Sequence, residues 1–246
     1  MVRGMAELDA QRQQELDTYG RDVAAALGDT CVSVILYGSA AGVDWIAGRS
    51  DVNTVIVLQR ASVAALDRLA PVITRWRRRG FALPVVLDHE QVEHARQLFP
   101  MELDDIKRQH RVLAGSDPFA DITTDDAALR RECAQEAFGK LLRLRAFYCE
   151  HAAEAAALER MMTESVKSFL IVIRHLLRLR GSDVPPAYDA TLTAGELAVG
   201  PLPVMREVLG HRVAAATADG ARLRALAGAY VDEAERVVAA VTAHCA

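Results

Sequence analysis

Leu36-Tyr37-Gly38-Ser39-Ala40-Ala41-Gly42-Val43-Asp44 is followed, after Trp45-Ile46-Ala47-Gly48, by Arg49-Ser50-Asp51-Val52-Asn53-Thr54-Val55-Ile56-Val57. Cys31 to Tyr37 is a short β-rich run bounded by turn formers, which predicts a strand. Gly38-Ser39 closes it, and Val52 to Leu58 is a second such run. Glycine at position 38 permits a tight turn and close approach of a ligand to the backbone. Ser39 is expected at the N-terminus of a short helix, where free N–H groups make a phosphate cradle. Asp51 and Asn53 are two apart on an extended segment, so both point to one face. Two oxygen ligands beside a phosphate cradle describe a Mg²⁺–nucleotide site.

Working outward, two regimes follow one another. Residues 5–27 read as a first helix stopped by Gly28. Ser62 to Arg79 has a helical apolar period ended by Gly80. Phe81 to Leu87 reads as a third strand, at an edge because of Pro84. Residues 89–97 form a short helix, and Pro100 to Ile106 and Arg111 to Ala114 are weaker extended segments. Gly115-Ser116-Asp117-Pro118 is the best linker signal in the chain. Beyond it the pattern is helix after helix, over residues 125–151, 152–179, 203–209 and about 212–243. The expected architecture is α+β: a mixed sheet with flanking helices over residues 1–120, then an all-α helical bundle over residues 121–246.

Composition narrows the function. The 246 residues carry 33 acidic and 29 basic side chains, a formal net charge of -4, which disfavours a protein that coats duplex nucleic acid. Aromatics at 5% argue against a base-stacking platform. The first twenty residues have no apolar run of the signal-peptide kind, and no stretch approaches the roughly 18 apolar residues of a membrane span. A soluble cytoplasmic protein with no membrane contact is the expectation. Cys31, Cys133, Cys149 and Cys245 form no CxxC pair, and the seven histidines show no HExxH spacing, so a zinc site is not expected.

The Gly38-Ser39 and Ser50-Asp51-Val52-Asn53 segments together resemble the signature of the DNA polymerase β-like nucleotidyltransferase superfamily. The resemblance is closest to small bacterial and aminoglycoside nucleotidyltransferases, which also have a helical domain after the catalytic one. It implies the nucleotidyltransferase fold for the sheet domain, with Mg²⁺ as cofactor and ATP or another NTP as substrate. Gly38 and Ser39 would hold the triphosphate, and Asp51 with Asn53 would hold the metal. Two departures stand out: Asn53 replaces the usual second carboxylate, and Gly42 stands where arginine is common. Asparagine offers a neutral carbonyl oxygen, so metal binding should weaken.

The resemblance also implies a third acid, as metal ligand or as base for the attacking hydroxyl. Glu102, in Phe99-Pro100-Met101-Glu102-Leu103 before Arg111-Val112-Leu113-Ala114-Gly115, resembles the base-bearing segment of streptomycin-type adenylyltransferases. Asp88, at the end of the third strand, and Asp104, read on the same face as Glu102, are the alternatives. Lys140, with Arg143, Lys167 and Arg174, could neutralise triphosphate charge; the plainer reading is a solvated helix face. Arg206-x4-His211 and the Arg145–His151 pair match a loose ribonuclease pattern that carries little weight. The expected reaction transfers a nucleoside monophosphate from Mg–NTP to a hydroxyl of a small molecule or protein. The alternative is a catalytically lapsed relative that binds nucleotide or a protein partner in the manner of an antitoxin. The sequence leaves the acceptor, and a homodimer or protein partner, open.

Overall fold

Two adjacent apolar strands set the layering of the N-terminal unit. The structure, a computed structural model, describes residues 8–46, 50–182, 184, 187–211 and 220–245. These residues divide into two units, Met1–Asp125 and Asp126–Ala246. In the first, helix α1 (Ala10–Leu27) begins at Asp9, whose carboxylate accepts from the Arg12 N–H at 2.7 Å. Strand β1 (Cys31–Tyr37) runs into a 3₁₀ turn at Gly38–Ala41, and β2 (Asn53–Leu58) returns beside it. Helix α2 (Val63–Arg77), β3 (Val85–Asp88), α3 (His89–Leu98), α4 (Pro100–Arg108) and β4 (His110–Gly115) follow.

The sheet order is β3-β2-β1-β4. Strand β1 is antiparallel to β2 and β4, while β2 and β3 are parallel. The two central strands are covered on both faces, which explains their nearly continuous apolar runs. Alternation sorts their side chains. Val34, Leu36, Ile56 and Leu58 face one core with Leu16, Tyr19, Val23, Trp76 and Phe81. Ile35, Val55 and Val57 face the other with Val92, Leu103, Ile106 and Phe119. Tyr19, Trp76 and Phe81 stack edge-on or tilted, with centroids 4.7 to 5.7 Å apart.

The second unit is helical: α5 (Asp126–His151), α6 (Ala155–Leu179), α7 (Tyr188–Val199), α8 (Pro203–His211) and α9 (Gly220–Cys245). Glu233 of α9 is buried because its carboxylate accepts the Val204 and Met205 N–H groups at 2.9 and 2.8 Å, capping the start of α8. Burial pushes its carboxyl above the ordinary range, against the pull of those two amides.

The architecture is the expected one, a mixed sheet with flanking helices followed by helices. Local expectations differ in three places. Pro100–Ile106 is helix, not extended chain, because proline at the first helical position, acids in the early turns and Lys107-Arg108 in the last turn all favour α4. The third strand is shorter, with Phe81 making only an isolated bridge to Val52. Helix α7 has no strong apolar stripe and was not expected. Residues 5–7, Pro185, Pro186 and 212–219, on which parts of the helix expectations fell, lie outside the described residues.

Candidate functional site

The C-terminal end of β1 gathers the groups of interest. Tyr37, its last residue, is paired with Asn53 on β2 and with His110 on β4. Gly38 turns the chain with φ +73°, a left-handed conformation that a residue with a Cβ rarely adopts. A Cβ there would also lie 3.3 Å from the Asn53 amide nitrogen, so a larger residue at position 38 would crowd the Asn53 side chain. The expected helix after Ser39 is instead a four-residue 3₁₀ turn, in which the Gly42 N–H donates to the Ser39 carbonyl at 3.2 Å. Extended backbone at Gly42 (φ -132°, ψ -151°) ends it before a helix can form. Ser39 is buried, and its hydroxyl has no hydrogen-bond partner among the described residues. A buried hydroxyl left unpaired is costly, and a ligand oxygen would satisfy it.

Asp51 is exposed at the entrance to β2. Its backbone is held on both sides. Ser50 closes the preceding loop through Ile46 N–H to its Oγ at 3.1 Å and its own N–H to the Ile46 carbonyl at 2.9 Å, and Val52 bridges Phe81. No hydrogen bond or ion pair ties up the Asp51 carboxylate among the described residues. Asn53 heads β2, half-buried. Arg49 lies outside the described residues.

The three candidate acids separate cleanly. Glu102 is exposed in the first turn of α4, and its charge, after burial, raises the Tyr37 hydroxyl above its ordinary range. That coupling places Glu102 within electrostatic reach of the residue preceding Gly38. Asp104 does not share its face: on a helix, residues two apart point in nearly opposite directions. The Asp104 carboxylate is buried and accepts from Arg108 one turn later at 3.2 Å. Asp88 forms a capping box with Gln91 at the start of α3, its carboxylate accepting the Gln91 N–H at 2.9 Å. Asp88→Ala should therefore lower stability by about 1 kcal/mol, read by thermal melting, and leave ligand binding unchanged.

Two side chains with no signal in the sequence adjoin this end of the sheet. Gln109, just past α4, lays its amide against Gly42: a Cβ at Gly42 would fall on that amide group. His110 is fixed at both ring nitrogens, Nδ1 to the Ile106 carbonyl at 2.8 Å and Nε2 to Asp117 at 2.9 Å. Asp117 loses solvation there, yet hydrogen bonds from His110 and the Phe119 N–H hold its carboxyl below the usual range.

The remaining candidates lie in the helical unit. Lys140 on α5 is ion-paired with Glu136 one turn earlier. Lys167 and Arg174 lie over the Tyr188 ring, 5.7 and 5.5 Å from its centroid. Arg206 is engaged by Glu196 at 2.7 Å and Asp189 at 3.2 Å, which holds it in ion pairs rather than free for catalysis; the His211 side chain lies outside the described residues. Arg145 pairs with Glu235 and His151 with Glu154. Among the described residues no helix is long and apolar enough to cross a membrane.

The donor set at the end of β1 fits Mg²⁺ held together with a nucleotide. Mg²⁺ keeps to oxygen ligands and is commonly bound through one or two carboxylates plus substrate phosphates. Asp51 offers a free carboxylate, Asn53 an amide oxygen, and the Ser39 hydroxyl is unpaired.

No family model matches the chain, and no curated protein matches it in sequence. Among solved structures it is similar to the spectinomycin adenyltransferase from Enterococcus faecialis, a crystal structure with ATP and spectinomycin. The match has a TM-score of 0.55 at 12% identity and covers 90% of this chain and 99% of that one. At this identity the likeness speaks for the fold.

Proposed function

We propose that this chain is a nucleotidyltransferase, transferring a nucleoside monophosphate from an NTP to a hydroxyl of a small molecule or protein. The observation that carries the proposal is the buried Ser39 hydroxyl, unpaired among the described residues, in the turn that left-handed Gly38 starts where Tyr37 pairs with Asn53. The likeness to a spectinomycin adenyltransferase supports ATP as the nucleotide and a polyhydroxylated compound as the first acceptor to try.

In this reading the Ser39 hydroxyl hydrogen-bonds a phosphate oxygen, and Gly38 lets the nucleotide approach the backbone. Asp51 and Asn53 are the residues that would hold Mg²⁺, which when bound supplies counter-charge to the phosphates. The acceptor oxygen forms a bond to the α-phosphorus as the bond to the β-phosphate oxygen breaks, and pyrophosphate leaves. Glu102, exposed and near Tyr37, accepts the hydroxyl proton. Most of the rate comes from positioning and charge neutralisation.

Asn53 favours a second reading, in which the same cradle binds nucleotide or a protein partner without turnover. One experiment separates them: ATP binding with and without Mg²⁺, and pyrophosphate release with hydroxyl acceptors including spectinomycin, for the natural chain and Asn53→Asp. The enzyme reading expects binding strengthened by Mg²⁺ and measurable pyrophosphate. It also expects a gain of about tenfold in turnover for Asn53→Asp, since one added anionic ligand need contribute only about 1.4 kcal/mol. Mg²⁺-indifferent binding with no pyrophosphate would overturn it. Activity that appears only in Asn53→Asp would establish the lapsed enzyme.

A further inference from the structure

Glycine at position 42 makes room for a neighbouring side chain, a role its backbone does not reveal. Its φ of -132° is open to any residue. The constraint is space: Nε2, Cδ and Oε1 of Gln109 occupy the position a Cβ would take. The Gln109 carboxamide thus lies on the backbone that ends the Gly38–Ala41 turn. It is half-buried and makes no hydrogen bond among the described residues. The neighbouring Ser39 hydroxyl, more than nine-tenths buried, is unpaired as well. One four-residue turn is therefore flanked by a buried hydroxyl without a partner among the described residues and by a half-buried carboxamide whose donors are open to a ligand.

The backbone that carries this carboxamide is held in place. The Gln109 N–H closes α4 on the Asp105 and Ile106 carbonyls at 3.0 and 3.2 Å. The next residue, His110, is locked by Ile106 and Asp117 and paired in register with Tyr37. With the backbone fixed on both sides, only the side-chain rotations of Gln109 remain to be ordered when a ligand binds.

Resting on the nucleotidyltransferase reading, we propose that Gln109 is a nucleotide-binding residue of this site: its carboxamide NH₂ donates to a phosphate oxygen of a nucleoside triphosphate seated on the Ser39 turn, and Gly42 is the vacancy that lets it do so. A neutral donor suits this position. It adds a directional hydrogen bond without a charge that would compete with the metal for the same oxygens.

The test is calorimetric binding of Mg–ATP to the full chain in five forms: natural, Gln109→Glu, Gln109→Ala, Gly42→Ala, and the double variant Gly42→Ala with Gln109→Ala. Melting curves would confirm that each is folded. Gln109→Glu keeps the shape and replaces the donor by a negative charge, so affinity should fall tenfold or more. Gln109→Ala should weaken binding three- to tenfold. Gly42→Ala should match it, because the added methyl evicts the carboxamide. The double variant should bind no more weakly than Gln109→Ala alone, since the evicted group is already gone. Unchanged affinity in Gln109→Glu, or independent multiplying effects in the double variant, would overturn this proposal alone. A natural chain that binds no nucleotide at all would overturn the nucleotidyltransferase reading together with it.

Discussion

Asp51→Asn should lower nucleotidyl transfer by at least about a hundredfold while leaving the melting curve in place, a loss typical of removing a group that stabilises developing charge. The structural side of this expectation is direct. The Asp51 side chain is exposed and makes no contact that the fold uses, while its backbone is fixed by the Ser50–Ile46 loop closure and the Val52–Phe81 bridge. A surface substitution of this kind changes stability by about 0.5 kcal/mol or less. The chemical side follows from Asn53. Because the second position at the head of β2 is already a neutral amide, Asp51 is the one carboxylate there, and the variant would present two amides to a divalent cation. Neutral carbonyl oxygens bind Mg²⁺ but contribute no net charge. The strengthening of ATP binding by Mg²⁺ should disappear in the same variant, which calorimetry with and without the metal would read. Full retention of both turnover and Mg²⁺ dependence would remove Asp51 from the site.

Asp51, Asn53 and Gly38 are legible in the sequence because each belongs to a single local pattern; other parts of the site are not. Strands β1 and β2 announce themselves because both faces of each are buried, leaving apolar runs too short for helices. Gly38 reads correctly as a turn, since its left-handed φ is a local property. Segment 100–108 carries good local signals for a helix, with Pro100 first, acids early and cations late, and the extended reading of Pro100 to Ile106 passes over them. The consequence is chemical: on a helix Glu102 and Asp104 part company, one facing out near Tyr37 and the other paired with Arg108. The Gly42–Gln109 contact had no local trace at all. It joins the end of one turn to the corner between α4 and β4, and only the antiparallel pairing of β4 with β1 brings them together. Sequence spacing encodes faces of single elements; it does not encode which elements become neighbours.

The same pairing supports the largest expected effect on stability. Gly115→Ala should destabilise the N-terminal unit by roughly 2–5 kcal/mol and lower its melting midpoint by about 10 °C or more. Two penalties act together. Gly115 has φ +80°, a conformation that costs an L-residue roughly 1–2 kcal/mol. Its added Cβ would also collide with the Val32 carbonyl oxygen, and that atom belongs to the backbone of β1, so no side-chain rotation relieves the clash. Overpacking of this sort typically adds roughly 1–3 kcal/mol. The damage should be directional as well. Gly115 is paired with Ser33 in a stretch where the Ser33 hydroxyl donates to the Ser116 carbonyl at 2.5 Å and the Ser116 N–H returns to the Val32 carbonyl at 3.2 Å. Pushing β4 off β1 there would loosen the register that places His110 beside Tyr37 at the other end of the same pair. Hydrogen exchange should therefore show faster opening of the β1–β4 amides, while those of β2 and β3, paired on the far side of β1, lose less protection. Gly28→Ala is the control: its φ is +56°, but a Cβ there meets nothing, so it should suffer the conformational penalty alone. If the two variants melted alike, the Val32 collision would be relieved at no cost, and the close approach of β4 to β1 would not be what requires glycine at position 115.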